Sequence, residues 1–320
     1  MLKYVFCALP LLLCGTATAQ MPVDVPIETA GPMGPLKGML LEPASGSRQV
    51  ALIIPGSGPT DRDGNSRLGV QASTYKLLAR DLAAQGVATV RIDKRGMFSS
   101  AAAVPDANAV TIADYVADVH SWVGTVRQRT GAACVWLIGH SEGGLVAMAA
   151  AEAGPGVCGL VLVSAAGRPM GAVLRDQIKA NPANAPLMEQ AMSAISSLEQ
   201  GRRVDAASLH PALQGLFAPP VQGFLISAFS YDPARLLARY PKPVMILHGQ
   251  RDIQVGERDA YALKQAAPKA KLVLLSNVNH VLKVVASDDV RANLAAYSDP
   301  ALPLAPGVGS AIAEFLMNEE

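Results

Sequence analysis

The sequence predicts an α/β fold: a mostly parallel central sheet flanked by helices, with a helical segment inserted between two of its strands. Three observations predict it. Short apolar runs alternate with helical patterns from Val50 to Val163. The runs lack period-two alternation, as expected of strands buried on both faces. The rhythm stops from about Arg168 to Pro241 and resumes at Val244. A helical stretch between strands of one sheet reads as a cap over a site rather than as an independent domain.

The elements follow in order. Val23–Ile27 and Leu36–Leu41, separated by Gly and Pro, read as a leading strand pair. Val50–Ile54 is a buried strand, followed by a Pro/Gly loop and a helical pattern over Tyr75–Ala84. Val87–Ile92 precedes a helix over Ile112–Val126, and Cys134–Ile138 precedes a small-residue helix over Gly143–Glu152. Gly159–Val163 is the next strand. Asn184–Leu198 and Leu209–Phe217 read as helices within the insertion, broken by Pro182, Pro186, Pro219 and Pro220. Val244–Leu247 and Lys271–Leu275 complete the sheet, and Ala311–Met317 closes the chain as a helix.

Composition narrows the function. Of 320 residues, 50% are hydrophobic and 17% charged, which excludes a disordered chain. Lys and Arg total 27 against 26 Asp and Glu, a net charge of +1. A nucleic-acid binder needs a strong positive excess, so no nucleic-acid partner is expected. No internal repeat is visible.

The N-terminus reads as a secretory signal. Lys3 supplies the charge, and Tyr4–Cys14 is an apolar run well short of the ~20 residues that span a bilayer. Ala17-Thr18-Ala19 matches a cleavage site. Residues 1–19 are therefore expected to be removed after Ala19, giving a periplasmic or secreted protein with no stable membrane insertion. A lipoprotein signal at Cys14 fits less well, because large Leu13 precedes it. The expected division is 20–167 and 242–320 as the two parts of the core, with 168–241 as the helical cap.

Of the four cysteines, Cys7 and Cys14 leave with the signal. Cys134 and Cys158 each open a strand, and consecutive βα units usually set such strands side by side. Both sulfurs then lie at the N-terminal edge of the sheet, where export permits a disulfide; the alternative is a pair of buried thiols. No cysteine or histidine spacing suggests zinc, and no metal or cofactor is expected.

Gly139-His140-Ser141-Glu142-Gly143 fits G-x-S-x-G and sits between a strand and a helix, the context of a nucleophile elbow. Ser141 is the candidate nucleophile. A serine hydroxyl needs a base. Of five histidines, His280 follows the last strand and the nucleophile, as Ser-first triads require. His140, inside the elbow, is expected to point away from Ser141; His120, His210 and His248 lie on a helix, in the insertion and at a strand end. Asp252, after the Val244–His248 strand, is the candidate acid that orients the base. Asp232 and Glu257 are its alternatives.

Acyl transfer also needs oxyanion donors. The Glu142 backbone N–H is one, and Pro55-Gly56-Ser57-Gly58-Pro59 offers the other, Ser57 first and Gly58 second. Asp61-Arg62-Asp63-Gly64-Asn65 lacks the remaining ligands of a calcium loop and reads as a hydrogen-bonded turn. Asp93-Lys94-Arg95-Gly96 is expected to hold that loop by charge pairing.

These pieces, with His248-Gly249-Gln250-Arg251-Asp252 and Asn279-His280, span Val50 to Val281 in a joint order that resembles the bacterial α/β-hydrolases of the serine-esterase and serine-aminopeptidase-like group. The segment Asp93-Lys94-Arg95-Gly96-Met97-Phe98-Ser99-Ser100 departs from that group's pattern, with Phe98 where a second Gly is usual. The resemblance implies an α/β-hydrolase fold and hydrolysis of a small-molecule carboxylic ester. A peptidase or thioesterase would use the same triad, and a non-catalytic binding protein would be expected to have lost one of its members. Met188, Met192 and Phe217 are expected to set acyl-chain preference.

Overall fold

The computed structural model describes residues 22–47, 49–152 and 154–319. The expected signal segment, its cleavage site, Cys7 and Cys14 lie outside the described residues.

Eight strands form one sheet: β1 (Asp24–Thr29), β2 (Leu36–Leu41), β3 (Gln49–Ile54), β4 (Val87–Ile92), β5 (Val135–His140), β6 (Val157–Val163), β7 (Val244–Gly249) and β8 (Lys271–Leu275). Their spatial order is β1-β2-β4-β3-β5-β6-β7-β8. The β1–β2 and β2–β4 pairs are antiparallel and all others parallel. Every residue of β4, β5 and β7 is buried, which is why those runs carry no alternation. Successive side chains of β3 nonetheless part company. Leu52 and Ile54 join one apolar layer, and Ala51 and Ile53 the other.

Helices α2 (Ile112–Thr130), α3 (Glu142–Glu152) and α9 (Glu257–Ala266) cover the first layer through Trp122, Leu145 and Leu263. Helices α1 (Thr74–Ala83) and α10 (Val308–Asn318) cover the second through Leu78, Leu82, Ile312 and Leu316. Helix α2 runs four residues beyond its last apolar position, Val126. Its tail of Arg127 to Thr130 carries no apolar signal, and Gly131, at φ 74°, ends it. At its start, Thr111 and Asp114 form a reciprocal capping box.

Between β6 and β7 lie α4 (Met170–Ala180), α5 (Met188–Glu199), α6 (Pro211–Gln214), α7 (Gln222–Phe229) and α8 (Pro233–Ala238). Proline shapes this region: Pro182–Leu187 is a 3₁₀ turn, so the expected Asn184–Leu198 helix begins only at Met188. Ala191, Ile195, Leu198, Leu213 and Phe217 give the insertion its own apolar cluster. Its last helix instead packs on the main core through Leu237.

Cys134 and Cys158 form a disulfide with Cα atoms 5.1 Å apart. Val135 pairs with Val157 but Leu137 with Leu160, so β6 holds one extra residue there. Such a bulge re-aims a side chain locally. The bridge closes a separation of 24 residues, worth ~3.5 kcal/mol in the chain-entropy model. In protein folded under oxidising conditions, neither thiol should alkylate under denaturing conditions without prior reduction, as read by intact mass. A Cys134→Ala/Cys158→Ala variant should lose about 2–4 kcal/mol in denaturant unfolding.

Candidate active site

A tight turn joins β5 to α3. Ser141 sits at its apex with φ 55°, in the left-handed region that costs an L-residue energy. Three nearby positions admit only glycine. A Cβ on Gly139 would strike the Gly143 carbonyl, one on Gly143 the Ile54 carbonyl, and one on Gly144 the Cβ of Ala165. Gly144 lies one residue beyond the G-x-S-x-G motif. The Ser141 N–H donates to the Val163 carbonyl at 2.9 Å, and its own carbonyl accepts from the Gly144 N–H at 2.9 Å. These bonds leave the hydroxyl projecting where Ser141 lines two cavities.

Asp252 follows β7 and His280 follows β8. The His280 Nδ1–H donates to Asp252 Oδ2 at 2.7 Å, with both side chains almost fully buried. Asp252 Oδ1 accepts from the Gln254 and Val255 N–H groups at 2.8 and 2.9 Å. Burial opposes the charged carboxylate. The adjacent His280 and these hydrogen bonds outweigh it and hold the Asp252 pKa below its ordinary value. A carboxylate only accepts, so Nδ1 carries the proton and Nε2 of the neutral ring is left with its lone pair. Asn279 braces the loop, accepting from the Lys283 N–H at 2.9 Å and donating to Asn293 Oδ1 at 3.2 Å. Ser141 and His280 line one cavity.

The other candidates are occupied elsewhere. Asp232 caps α8, and Glu257 accepts from Tyr261 and Gln250. His120 faces the Ala150 carbonyl, His248 the Val255 carbonyl, and His210 caps α6.

His140 shares a cavity wall with Ser141, its ring nitrogens turned to Tyr75 and to the His280 carbonyl. Its ring centroid is 4.7 Å from that of His280. The Gly56 N–H donates to Tyr75 Oη at 2.9 Å, so the single Tyr75 hydroxyl proton goes to His140 Nδ1, also at 2.9 Å. His140 Nε2–H then donates to the His280 carbonyl at 2.9 Å. Burial, reinforced by neighbouring His280, pushes the His140 pKa down to about 3, so the ring stays neutral. The chain ties the Pro55–Pro59 loop to the backbone of His280. Tyr75 lies 65 residues from His140, and no local pattern announces that pairing.

Lys94 secures the other side of the loop. Its ammonium donates to the Gly56 carbonyl at 2.6 Å and lies 3.9 Å from Glu142 Oε1. Burial lowers its pKa while Glu142 opposes the shift. The Asp93 carboxylate accepts from the Arg62 N–H and pairs with the Arg62 guanidinium, both at 2.9 Å. Asp61 Oδ1 accepts from the Asp63 and Asn65 N–H groups, closing a turn. Arg95 pairs with Asp114 and Asp118 on α2 instead of with the loop. Phe98 adopts φ 47°, the left-handed conformation that a glycine there would take without strain.

Ser57 and Glu142 flank Ser141 in the cavity beneath the insertion. Among the described residues, neither backbone N–H has an acceptor. That cavity, about 260 Å³, is walled by Met170, Val173, Leu174, Phe224, Leu225 and Phe229. Met188, Met192 and Phe217, the expected chain-length residues, belong instead to the insertion's own apolar cluster. Helix α7, which supplies Phe224 and Leu225, was missed because it is apolar on all sides and shows no periodic signal. A second cavity of about 310 Å³ opens on the His280 side. Among the described residues, no three His, Cys, Asp or Glu side chains are placed to hold a metal ion.

Comparison with known proteins agrees with this architecture. Est1E from Butyrivibrio proteoclasticus superposes with a TM-score of 0.57 at 18% identity, over 92% of this chain and 98% of that one. A proline iminopeptidase of Mycobacterium smegmatis gives a TM-score of 0.60 at 14% identity, over 92% and 98%. In sequence, the chain is 25% identical to esterase EstD of Thermotoga maritima over 249 residues, 74% of this chain and 55% of that one. It thus spans about half the length of that relative. The family model described as serine aminopeptidase, S33, matches residues 65–283. That segment contains the elbow, Asp252 and His280 within the sheet order described above, and the chain belongs to the serine aminopeptidase S33 family of α/β-hydrolases.

Proposed function

We propose that the protein hydrolyses carboxylic esters through an acyl-enzyme on Ser141. The observation that carries this reading is the Asp252–His280 hydrogen bond of 2.7 Å beside the cavity that Ser141 and His280 share. Ser141 Oγ attacks the acyl carbonyl as His280 Nε2 takes its proton. Asp252 holds the imidazole tautomer and stabilises the cation that forms. The Ser57 and Glu142 N–H groups receive the oxyanion, each worth about 3 kcal/mol in the transition state. The N-terminus of α3 adds its dipole in the same direction. His280 returns the proton to the leaving alcohol, then activates a water that releases the acid.

The apolar cavity beneath the insertion takes the acyl chain. An aminopeptidase is the less favoured reading for a specific reason. Among the described residues, the only carboxylate lining either cavity is that of Glu142, which is buried beside Lys94 and unavailable to hold a substrate ammonium. The protein is taken to work in the periplasm or outside the cell. The signal-like residues 1–19 and the Cys134–Cys158 bridge support that.

Ser141→Ala and His280→Ala should each lower kcat at least about a thousandfold in folded protein, and the double variant should be little worse. Near-normal turnover by either single variant contradicts the assignment. Tyr75→Phe removes one proton and one acceptor from the chain that braces loop and base. It should lower kcat about tenfold, matching ~1.4 kcal/mol for a lost buried bond, with little change in KM. Leu174→Ala or Phe224→Ala should raise the octanoyl-to-butyryl ratio of kcat/KM about tenfold, as room opens for about two methylenes. Met188→Ala should leave that ratio where it is.

A further inference from the structure

The two cavities that meet at Ser141 differ in chemistry. The one beneath the insertion is mostly apolar, with Arg168 and Gln177 also in its wall, and lacks His280; the other, about 310 Å³, is lined by His280. The base must pass its proton to the departing oxygen, so the leaving group lies on the His280 side. Among the described residues, no Asp, Glu, Lys or Arg lines that cavity. A charged alcohol would be desolvated there without a counter-charge, at high cost.

One polar pair stands in its wall. Gln254 Nε2 donates to Tyr297 Oη at 3.1 Å. That bond leaves the Tyr297 hydroxyl proton and the Gln254 side-chain carbonyl unused, one donor beside one acceptor. A substrate hydroxyl needs both. The pair is well held. The Tyr297 ring is buried with Ala72 and Val281, and its carbonyl accepts from the Gln71 N–H at 2.7 Å. Burial pushes the phenol pKa up, keeping it a donor. The Gln254 N–H, in turn, bonds Asp252 at 2.8 Å, next to the base. Tyr297 lies beyond residues 65–283, outside the segment matched by the family model.

We infer that this cavity binds the leaving alcohol, and that Tyr297 and Gln254 select a neutral alcohol bearing further hydroxyl groups, a polyol of the glycerol or sugar kind. The inference rests on the ester-hydrolase reading of Ser141, His280 and Asp252. In acylation the Ser141 Oγ–acyl carbon bond forms and the acyl carbon–alkoxy oxygen bond breaks. The serine proton passes through His280 Nε2 to that oxygen. A water oxygen then bonds the acyl carbon as His280 Nε2 takes its proton, the Ser141 Oγ–acyl bond breaks, and that proton passes to Oγ, releasing the acid with no other reactant.

The test holds the acyl group fixed. Butyrate esters of ethanol, glycerol, glucose and choline are compared by kcat/KM on the disulfide-bonded protein. The glycerol or glucose ester should exceed the ethyl ester about tenfold, and whichever is higher identifies the kind of polyol; the choline ester should show no such gain. Tyr297→Phe and Gln254→Leu should each cut the polyol-to-ethyl ratio about fivefold. Gln254 projects from an exposed loop, so its variant serves if Tyr297→Phe does not fold. A second reading uses the wild type alone. During turnover of an aryl butyrate, glycerol should capture more acyl-enzyme as ester than 1-propanol at equal concentration. Equal rates for the ethyl and polyol esters, preference for the choline ester, or an unmoved ratio in both variants overturns the inference while the ester-hydrolase reading stands. Failure of a fluorophosphonate to label Ser141, with no ester cleaved, takes down both.

Discussion

Ser141 holds a left-handed backbone conformation, φ 55°, that costs an L-residue about 1–2 kcal/mol. The surroundings allow no relaxation. Three glycines let β5, α3 and the end of β3 approach so closely that any side chain at those positions would collide with backbone or with Ala165. The strain is thus maintained by packing deep in the sheet, and its product is a hydroxyl raised above the C-terminal edge. Everything else at the site is arranged with respect to that fixed point. The loop after β3 comes to it from one side, and the loops after β7 and β8 from the other.

Charge is used sparingly around it. Lys94 and Glu142 are buried 3.9 Å apart beneath the elbow, and Lys94 spends a stronger contact, at 2.6 Å, on the Gly56 carbonyl. A buried pair of this kind contributes little net stability, because desolvation offsets the attraction. Its effect is positional. It fixes one end of the loop while Tyr75 takes the adjoining N–H. The two cavity walls remain almost free of unpaired charge, so the imidazole of His280 and the carboxylate of Asp252 interact in a largely apolar setting.

Much of the fold was legible because its strands are short apolar runs bounded by turn residues, several of them wholly buried. Val87–Ile92 follows Gly86, and Lys271–Leu275 follows a Pro-containing loop. The positions of Ser141, Asp252 and His280 were legible for a topological reason: each follows a strand of a parallel sheet, and the ends of such strands converge on one edge. What was not legible is tertiary. Met188, Met192 and Phe217 have the same apolar character as Leu174 and Phe224, and only the docking of the insertion decides which face the cavity. Helix α7 carries no polar face to mark its period. The role of His140 depends on Tyr75, and that of Tyr297 on Gln254 43 residues away. Phe98 was noticed as a departure, but only its φ of 47° says what the departure costs.

The chain from Gly56 through Tyr75 and His140 to His280 has ends that cannot change role. An amide N–H can only donate and a carbonyl can only accept. With both termini fixed and burial holding the His140 ring neutral and the Tyr75 phenol protonated, one hydrogen stays on Tyr75 Oη and one on His140 Nε2. The row therefore conducts no proton, although a tyrosine and a histidine in sequence resemble a relay. It behaves as a strut of constant polarity. The field it exerts on the neighbouring His280 ring, 4.7 Å away, therefore keeps one direction.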